Sequence, residues 1–305
     1  MPMARRLSLI LNPQAAAGQA PRQWEYLFAR LRARGTEVEQ VVTRGPGHGI
    51  ALAQERAAGC EVVVAVGGDG TANEVATGLL RAGSGAAALG LVPLGTGNDA
   101  AHQLGIADVA QAVNVLTAGE PRAVDAIRVE YPGPGGAPHR HYALLFAAVG
   151  FAGDLIRHTT PRVKRYFGQR LSYSVGFFRA LRRFRAPWMR LHADAREFSG
   201  HFFHVCAGNA EFGGGGMMRL SPGARMDDGL LNLCLIRAMR RLETLRCFPR
   251  LLRGTHVTHP KATYFSGRCL RVETDPPVEL QLDGDLVGTT PATFRVEPAA
   301  LRVLR

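Results

Sequence analysis

Apolar and polar positions along the first part of the chain repeat one pattern. A short buried strand leads to a loop marked by glycine or proline, then to a helix with one apolar face. Leu7 to Leu11 precedes Asn12-Pro13-Gln14-Ala15-Ala16-Ala17-Gly18 and a helix with Trp24, Leu27, Phe28 and Leu31 on one side. Val38 to Thr43 precedes Arg44-Gly45-Pro46-Gly47-His48-Gly49 and a helix through Ala58. Val62 to Val66 precedes Gly67-Gly68-Asp69-Gly70-Thr71, after which Ala72, Val75, Ala76, Leu79 and Leu80 keep helical spacing. Leu89 to Pro93 precedes Leu94-Gly95-Thr96-Gly97-Asn98-Asp99 and a short helix, and Asp108 to Ala118 gives one more. This alternation predicts an α/β domain with a doubly wound parallel sheet, its ligand at the carboxyl ends of the strands. Thr71 and Glu74, three residues apart, read as a capping box that sets the start of the third helix.

After Val124 the pattern changes. Arg128 to Tyr131, Tyr142 to Ala148, Met189 to Ala193, Phe202 to Cys206, Leu230 to Ile236 and Leu270 to Glu273 are strand-like. Two helical stretches interrupt them, near Arg170 to Arg183 and Arg241 to Arg253. Val278 to Leu282, Asp283-Gly284-Asp285 and Leu286 to Thr289 form a hairpin pattern. The expected organisation is a nucleotide-binding domain over 1–124 and a mainly antiparallel β-sandwich domain over 125–297. The last strand, about 298–305, is a candidate to return to the first domain.

Composition narrows the class. A chain of 305 residues with 46% hydrophobic residues has room for two cored domains. No stretch reaches the roughly 20 apolar residues needed to span a bilayer. The apolar run at Leu7 to Leu11 is too short for a signal peptide. The five scattered cysteines read as reduced residues of a cytoplasmic protein. The net charge of +12 has two readings: the Arg, Ala and Gly enrichment of a GC-rich genome, or attraction to an anionic partner, either nucleic acid or a membrane surface. No RNA-recognition signature, zinc-finger spacing or basic heptad run is present, which argues against nucleic acid. From Arg157 to Arg185 there are nine Lys/Arg and no acid, interleaved with Tyr166, Phe167, Tyr173, Phe177, Phe178 and Phe184. Basic residues with aromatics suit an interfacial helix on an anionic membrane. The competing expectation is an aromatic face packed on the β domain.

The Gly67–Thr71 corner carries the clearest chemistry. Free amides at a helix start and glycines without a Cβ let a phosphate approach, and Asp69 calls for a cation between itself and that phosphate. Gly95-Thr96-Gly97-Asn98 is a second cradle on the same sheet edge. Together Gly67-Gly68-Asp69-Gly70-Thr71 with Asn73-Glu74, and Pro93-Leu94-Gly95-Thr96-Gly97-Asn98-Asp99, resemble the diacylglycerol kinase catalytic family. That family includes bacterial lipid kinases and the sphingosine and ceramide kinases. The resemblance extends through Asn12-Pro13, Thr43 with Gly47-His48, Val149-Gly150-Phe151, Gly208-Asn209, Pro222-Gly223-Ala224, Asp227-Asp228-Gly229-Leu230-Leu231 and Asp283-Gly284-Asp285.

The resemblance implies transfer of the γ-phosphate of ATP to a lipid hydroxyl of diacylglycerol, phosphatidylglycerol or sphingoid type, with Mg²⁺ as cofactor. Asn12, Thr43, Gly67, Gly68, Asp69, Gly70, Thr71, Glu74, Gly95, Thr96 and Asn98 fall at nucleotide-binding positions. Asp69 holds the magnesium–water shell, Asp283 is the general base, and Asp285 joins the magnesium network. Asp228, with the Leu230 carbonyl, matches a structural magnesium site, against the alternative of an ordinary turn. The implied protein is cytoplasmic and peripheral to the membrane, and a homodimer stays open. Two positions depart from the family pattern. The usual lysine or other cation after Asn12-Pro13 is missing, with none before Arg22 and Arg44 as a candidate substitute, and Asp285 stands where glutamate is usual. The alternatives are an NAD-kinase-like phosphotransferase on a soluble acceptor and a catalytically weakened nucleotide-binding regulatory protein.

Overall fold

A computed structural model describes residues 5–15, 20–83, 85, 87–158 and 176–305. The chain divides into two units. Unit 1 comprises Met1–Ala126, Gly214–Gly216 and Pro298–Arg305, and unit 2 comprises Ile127–Gly213 and Met217–Glu297.

Unit 1 is built on β1 (Arg6–Leu11), α1 (Ala20–Arg32), β2 (Glu37–Val42), α2 (His48–Arg56), β3 (Val62–Gly67), α3 (Asp69–Ala82), β4 (Ala88–Pro93), α4 (Asp99–Gln103) and α5 (Val109–Ala118). Its strands run in the order β2-β1-β3-β4, all parallel. Every position of β3 is buried, as a strand covered on both faces requires. β2 is the edge and keeps most of its side chains exposed or half-buried. The chain runs from β1 out to β2, then returns past β1 to β3. The loops after β1 and β3 therefore leave the sheet in opposite directions, which opens a crevice at their carboxyl ends. α5 begins as its sequence predicts, with Asp108 accepting from the Gln111 amide at 2.8 Å. α3 begins at Asp69, earlier than the capping-box reading places it. A tertiary partner for Glu74 explains the difference, as described below.

Unit 2 holds the second half of β5 (Pro121–Pro132), then β6 (Pro138–Ala143), β7 (Phe146–Gly150), α6 (Phe151–His158), a helix α7 described over 176–183, β8 (Trp188–Ala193) and β9 (Arg196–Gly208). A short hairpin of β10 (Phe212–Gly213) and β11 (Met218–Arg219) follows. Then come β12 (Leu231–Arg237), α8 (Arg241–Arg253), β13 (Ala262–Gly267), β14 (Cys269–Thr274), β15 (Glu279–Leu282), β16 (Asp285–Thr289) and β17 (Ala292–Leu304). The pairing is antiparallel throughout β7, β8, β9, β12, β13, β14, β15 and β16. β9 serves both layers: 196–201 pair with β8, and 204–208 pair with β7 and β12. Phe202, Leu233, Leu280 and Phe294 fill the core between the layers. The first part of β17 pairs antiparallel with β14, and Val303 near its end pairs parallel with Leu89 of β4 in unit 1.

The predicted single strand Tyr142 to Ala148 is instead two strands, β6 and β7, broken at Leu144-Leu145. The run is apolar throughout, so nothing local marks the break. α6 and β13 go beyond the elements read from the sequence. Part of the basic, aromatic stretch, 159–175, lies outside the described residues. Among the described residues no helix is long and apolar enough to cross a membrane.

Candidate active site

The two glycine loops of unit 1 meet backbone to backbone. A Cβ built on Gly95 would lie 2.4 Å from the Gly68 Cα, and one on Gly68 would lie 3.0 Å from the Gly95 Cα. Neither position has space for a side chain. Leu94 N–H donates to the Gly67 carbonyl at 2.8 Å, so the β3–β4 ladder continues into the contact. Asn98 stands in the left-handed region at φ 57° and closes its own loop. Its Oδ1 accepts from the Gly95 amide at 2.8 Å, and its Nδ2 donates to the Gly95 carbonyl at 2.9 Å. Thr96, between these anchors, is exposed.

Asp69 opens α3, and its Oδ1 accepts from the Ala100 amide at 3.1 Å. A Cβ on Gly97 would come within 2.5 Å of Asp69 Oδ2, so the second loop packs directly on this carboxylate. α3 starts on Gly68 without a side-chain cap. The amides of Gly70 and Thr71 thus keep their capacity for an anionic partner, at the positive end of a helix of 14 residues. Asn12, after β1, donates from Nδ2 to Thr71 Oγ1 at 2.9 Å, which links the β1 and β3 loops. Buried Thr43 donates its amide to the Leu11 carbonyl at 2.9 Å.

Glu74 does not cap its own helix. Its Oε1 accepts from the Gly47 amide at 2.7 Å, and its Oε2 accepts from the Gly49 amide at 2.9 Å. The capping-box reading is corrected accordingly: the carboxylate caps α2 and anchors the β2–α2 loop. In that loop the Arg44 amide donates to His48 Nδ1 at 3.0 Å. Asp99 has a role the sequence did not assign. Its two oxygens accept from the Gly215 and Gly216 amides at 3.1 and 2.7 Å, holding that late glycine segment in unit 1. The only local sign was an acid at a helix start beside Asn98.

In unit 2, Asp283 and Gly284 form a two-residue hairpin turn with φ of 46° and 99°, the geometry of a type I′ turn. Asp283 Oδ2 accepts from the Leu144 amide at 2.7 Å, and Oδ1 accepts from Leu145 and Phe146 at 3.0 and 2.8 Å. Asp283 N–H donates back to the Phe146 carbonyl at 3.0 Å. Asn209, fully buried, takes the other side of the same corner: Nδ2 donates to the Leu144 carbonyl and the main-chain amide to the Leu145 carbonyl, both at 2.8 Å. The break between β6 and β7 is thus held by two residues distant in sequence. Burial pushes the Cys206 thiol well up, with smaller contributions from Cys234 and from the Asp283 carboxylate, so this neighbour stays protonated. Asp285 is exposed at the start of β16. Asp228 is also exposed, and its Oδ1 accepts from the Leu230 amide at 3.0 Å in a tight turn. Among the described residues, no three His, Cys, Asp or Glu side chains cluster as a metal cage.

Residues 6–129 match the diacylglycerol kinase catalytic domain, and residues 150–305 match the YegS C-terminal NAD kinase beta sandwich-like domain. A diacylglycerol kinase of Staphylococcus aureus (strain MRSA252) is 28% identical over 297 residues, covering 96% of this chain and 90% of the relative. The crystal structure of a putative diacylglycerol kinase from Bacillus anthracis str. Sterne superposes with a TM-score of 0.81 at 20% identity. It covers 98% of this chain and 95% of the other. Yeast NADH kinase complexed with NADH shares the fold at a TM-score of 0.51 and 11% identity, over 99% of this chain and 83% of the other.

Proposed function

This chain belongs to the diacylglycerol kinase catalytic family, and from that premise we propose that it transfers the γ-phosphate of ATP to a lipid hydroxyl at a membrane surface. The observation that carries the reading is the meeting of Gly68 and Gly95 beside Asp69, at the carboxyl edge of a parallel sheet. Backbone amides with no Cβ around them can follow a polyphosphate closely, and a carboxylate beside them would repel it unless a cation stood between the two. The donor set therefore fits a divalent cation, which Asp69 would help to hold and which would offset the charge of a bound phosphate. Mg²⁺, when bound, supplies neutralisation of the charge that builds on the transferred phosphoryl group.

The chain's own residues do the rest. Gly67, Gly68, Gly70, Thr71, Gly95, Thr96 and Asn98 cradle the phosphates, with Asn12 and Thr43 bordering them. Glu74 acts as a positioning residue, since it fixes the Gly47–Gly49 amides. Asp283 takes the proton of the acceptor hydroxyl as the lipid oxygen bonds to phosphorus and ADP leaves. Three backbone amides hold its carboxylate in one orientation, which a base acting in a single geometry requires. By the family resemblance, Asp285 would supply a further carboxylate for the divalent cation. The Asp228 turn offers one carboxylate and the Leu230 carbonyl, enough only for an ion that retains most of its water. The diacylglycerol kinase relatives make diacylglycerol the first acceptor to test.

The test is incubation with γ-labelled ATP, Mg²⁺ and detergent-dispersed diacylglycerol, phosphatidylglycerol or sphingosine, with NAD as a soluble competitor. Label in the organic phase supports the lipid reading. Label on NAD alone overturns it, and ATP binding without any transfer identifies a chain that has lost catalysis.

A further inference from the structure

α7 and α8 make one surface in unit 2. Phe177 of α7 packs on Phe248 of α8 at 4.6 Å between ring centroids, and Arg241 donates from Nη2 to the Arg182 carbonyl at 2.8 Å. Phe177 and Phe184 also pack inward on Phe151, so these aromatics belong to the core side. The outward side is different in kind. Arg179, Arg182, Arg183 and Arg185 are exposed there. On α8, Leu242, Arg246, Pro249 and Arg253 follow at spacings of four, three and four residues, one stripe of a helix, and all are exposed. Phe178, Leu242 and Leu252 stand open at 60%, 59% and 47% exposure. The one acid of α8, Glu243, turns to Lys261 at 2.7 Å and faces His259 at 3.6 Å, so it does not offset the arginines.

We propose that this α7–α8 face is the surface by which the protein docks on an anionic lipid bilayer. The inference rests on the lipid-kinase reading for its occupant, and on the packing and exposure of α7 and α8 for its place. Guanidinium groups around separate large apolar side chains match a layer of anionic headgroups over acyl chains, where the arginines stay at headgroup level and Phe178 and Leu242 enter the interface. A second copy of the chain would set like charges against each other. A nucleic acid would neutralise the arginines and leave the aliphatic side chains without a partner.

The test is flotation of the full chain, without ATP, with vesicles of phosphatidylcholine alone or mixed with phosphatidylserine. The wild type should float with the mixed vesicles and be released as salt is raised, because exposed charge is screened within about 8 Å at physiological ionic strength. Arg246→Gln/Arg253→Gln should lower binding to mixed vesicles about tenfold or more, and Phe178→Ser/Leu242→Ser should lower it at every salt concentration. Both variants should keep the melting temperature and the activity on detergent-dispersed lipid. Equal flotation of wild type and variants, or equal binding to neutral vesicles, overturns the proposal. So does tighter arginine-dependent binding to an oligonucleotide, or a change in sedimentation mass in the Phe178/Leu242 variant. Docking without transfer to any lipid would remove the kinase reading and keep the surface. Transfer to dispersed lipid without docking would do the reverse.

Discussion

Two of the chain's three Asp-Gly corners, Asp69-Gly70 and Asp283-Gly284, do opposite things with the same two residues. Asp69 opens a helix, and among its described partners is the Ala100 amide on the neighbouring glycine loop. Asp283 sits in a hairpin turn with positive φ, and three consecutive amides of another strand corner converge on its oxygens. The first carboxylate lies in a cradle of backbone amides suited to a charged ligand. The second is built into the frame of its own unit. Replacing the aspartate should therefore cost less stability at the first corner than at the second.

Isosteric amides break this comparison most sharply. Asp69→Asn keeps an acceptor for the Ala100 amide, so turnover should fall by about a thousandfold while unfolding free energy changes by less than about 1 kcal/mol. Asp283→Asn presents an NH₂ group to at least one of the three amides. It should lose about a hundredfold or more in kcat and also about 1–3 kcal/mol of stability. Paired activity assays and urea melts on both variants check this, and a purely catalytic loss at Asp283 would undo the contrast. Gly95→Ala tests the first corner alone. Its Cβ cannot share space with the Gly68 backbone, so the loops must part, at a cost of about 1–3 kcal/mol and about a tenfold rise in the KM for ATP. Glu74→Ala releases two amides of the β2–α2 loop and should raise the KM for ATP several-fold with kcat and the lipid KM unchanged. Glu74→Gln, with one carbonyl oxygen left, should lie between.

The smallest effect on activity belongs to the sandwich. Burial, and then the charge of His256, holds the His204 imidazole down at about 4 against an ordinary 6.5, and burial lowers His256 as well. The unfolded chain takes up these protons first as pH falls. The stability from their neutral forms is thus complete above 6.5 and is lost on the way down toward 4. Urea melts at a series of pH values should show that slope, and His204→Gln should flatten it.

The first corner was legible in the sequence because its causes are local. Five apolar residues, a glycine turn and helical spacing lie within one short window, and the strand and loop follow from them. Asp108 and α5 were legible for the same reason. The second corner was legible as a turn, since Asp-Gly between alternating runs selects one. What that turn does was not legible. The amides it accepts lie 137 to 139 residues away, and the Leu144-Leu145 break they stabilise interrupts an unbroken apolar run. Asn209, which holds the carbonyls of that break, is likewise 65 residues from Leu144. Glu74 shows how a local rule can mislead. Its spacing from Thr71 satisfies a capping box, yet amides 25 and 27 residues away claim the carboxylate. On the basic stretch, charge and aromatics were visible in the sequence. That Phe177 turns inward, Phe178 outward and α8 completes the surface depended on packing.

The most direct measurement is single-turnover transfer from labelled ATP to diacylglycerol by wild type, Asp69→Asn and Asp283→Asn, with the affinity for MgATP determined on the same samples. The wild type should label the lipid. Asp283→Asn should bind MgATP as the wild type does and transfer almost nothing, and Asp69→Asn should be impaired in transfer while remaining as stable as the wild type. Wild-type transfer by Asp283→Asn, or no labelled lipid from the wild type while it binds MgATP, would contradict the assignment of this chain as a lipid kinase with Asp283 as its base.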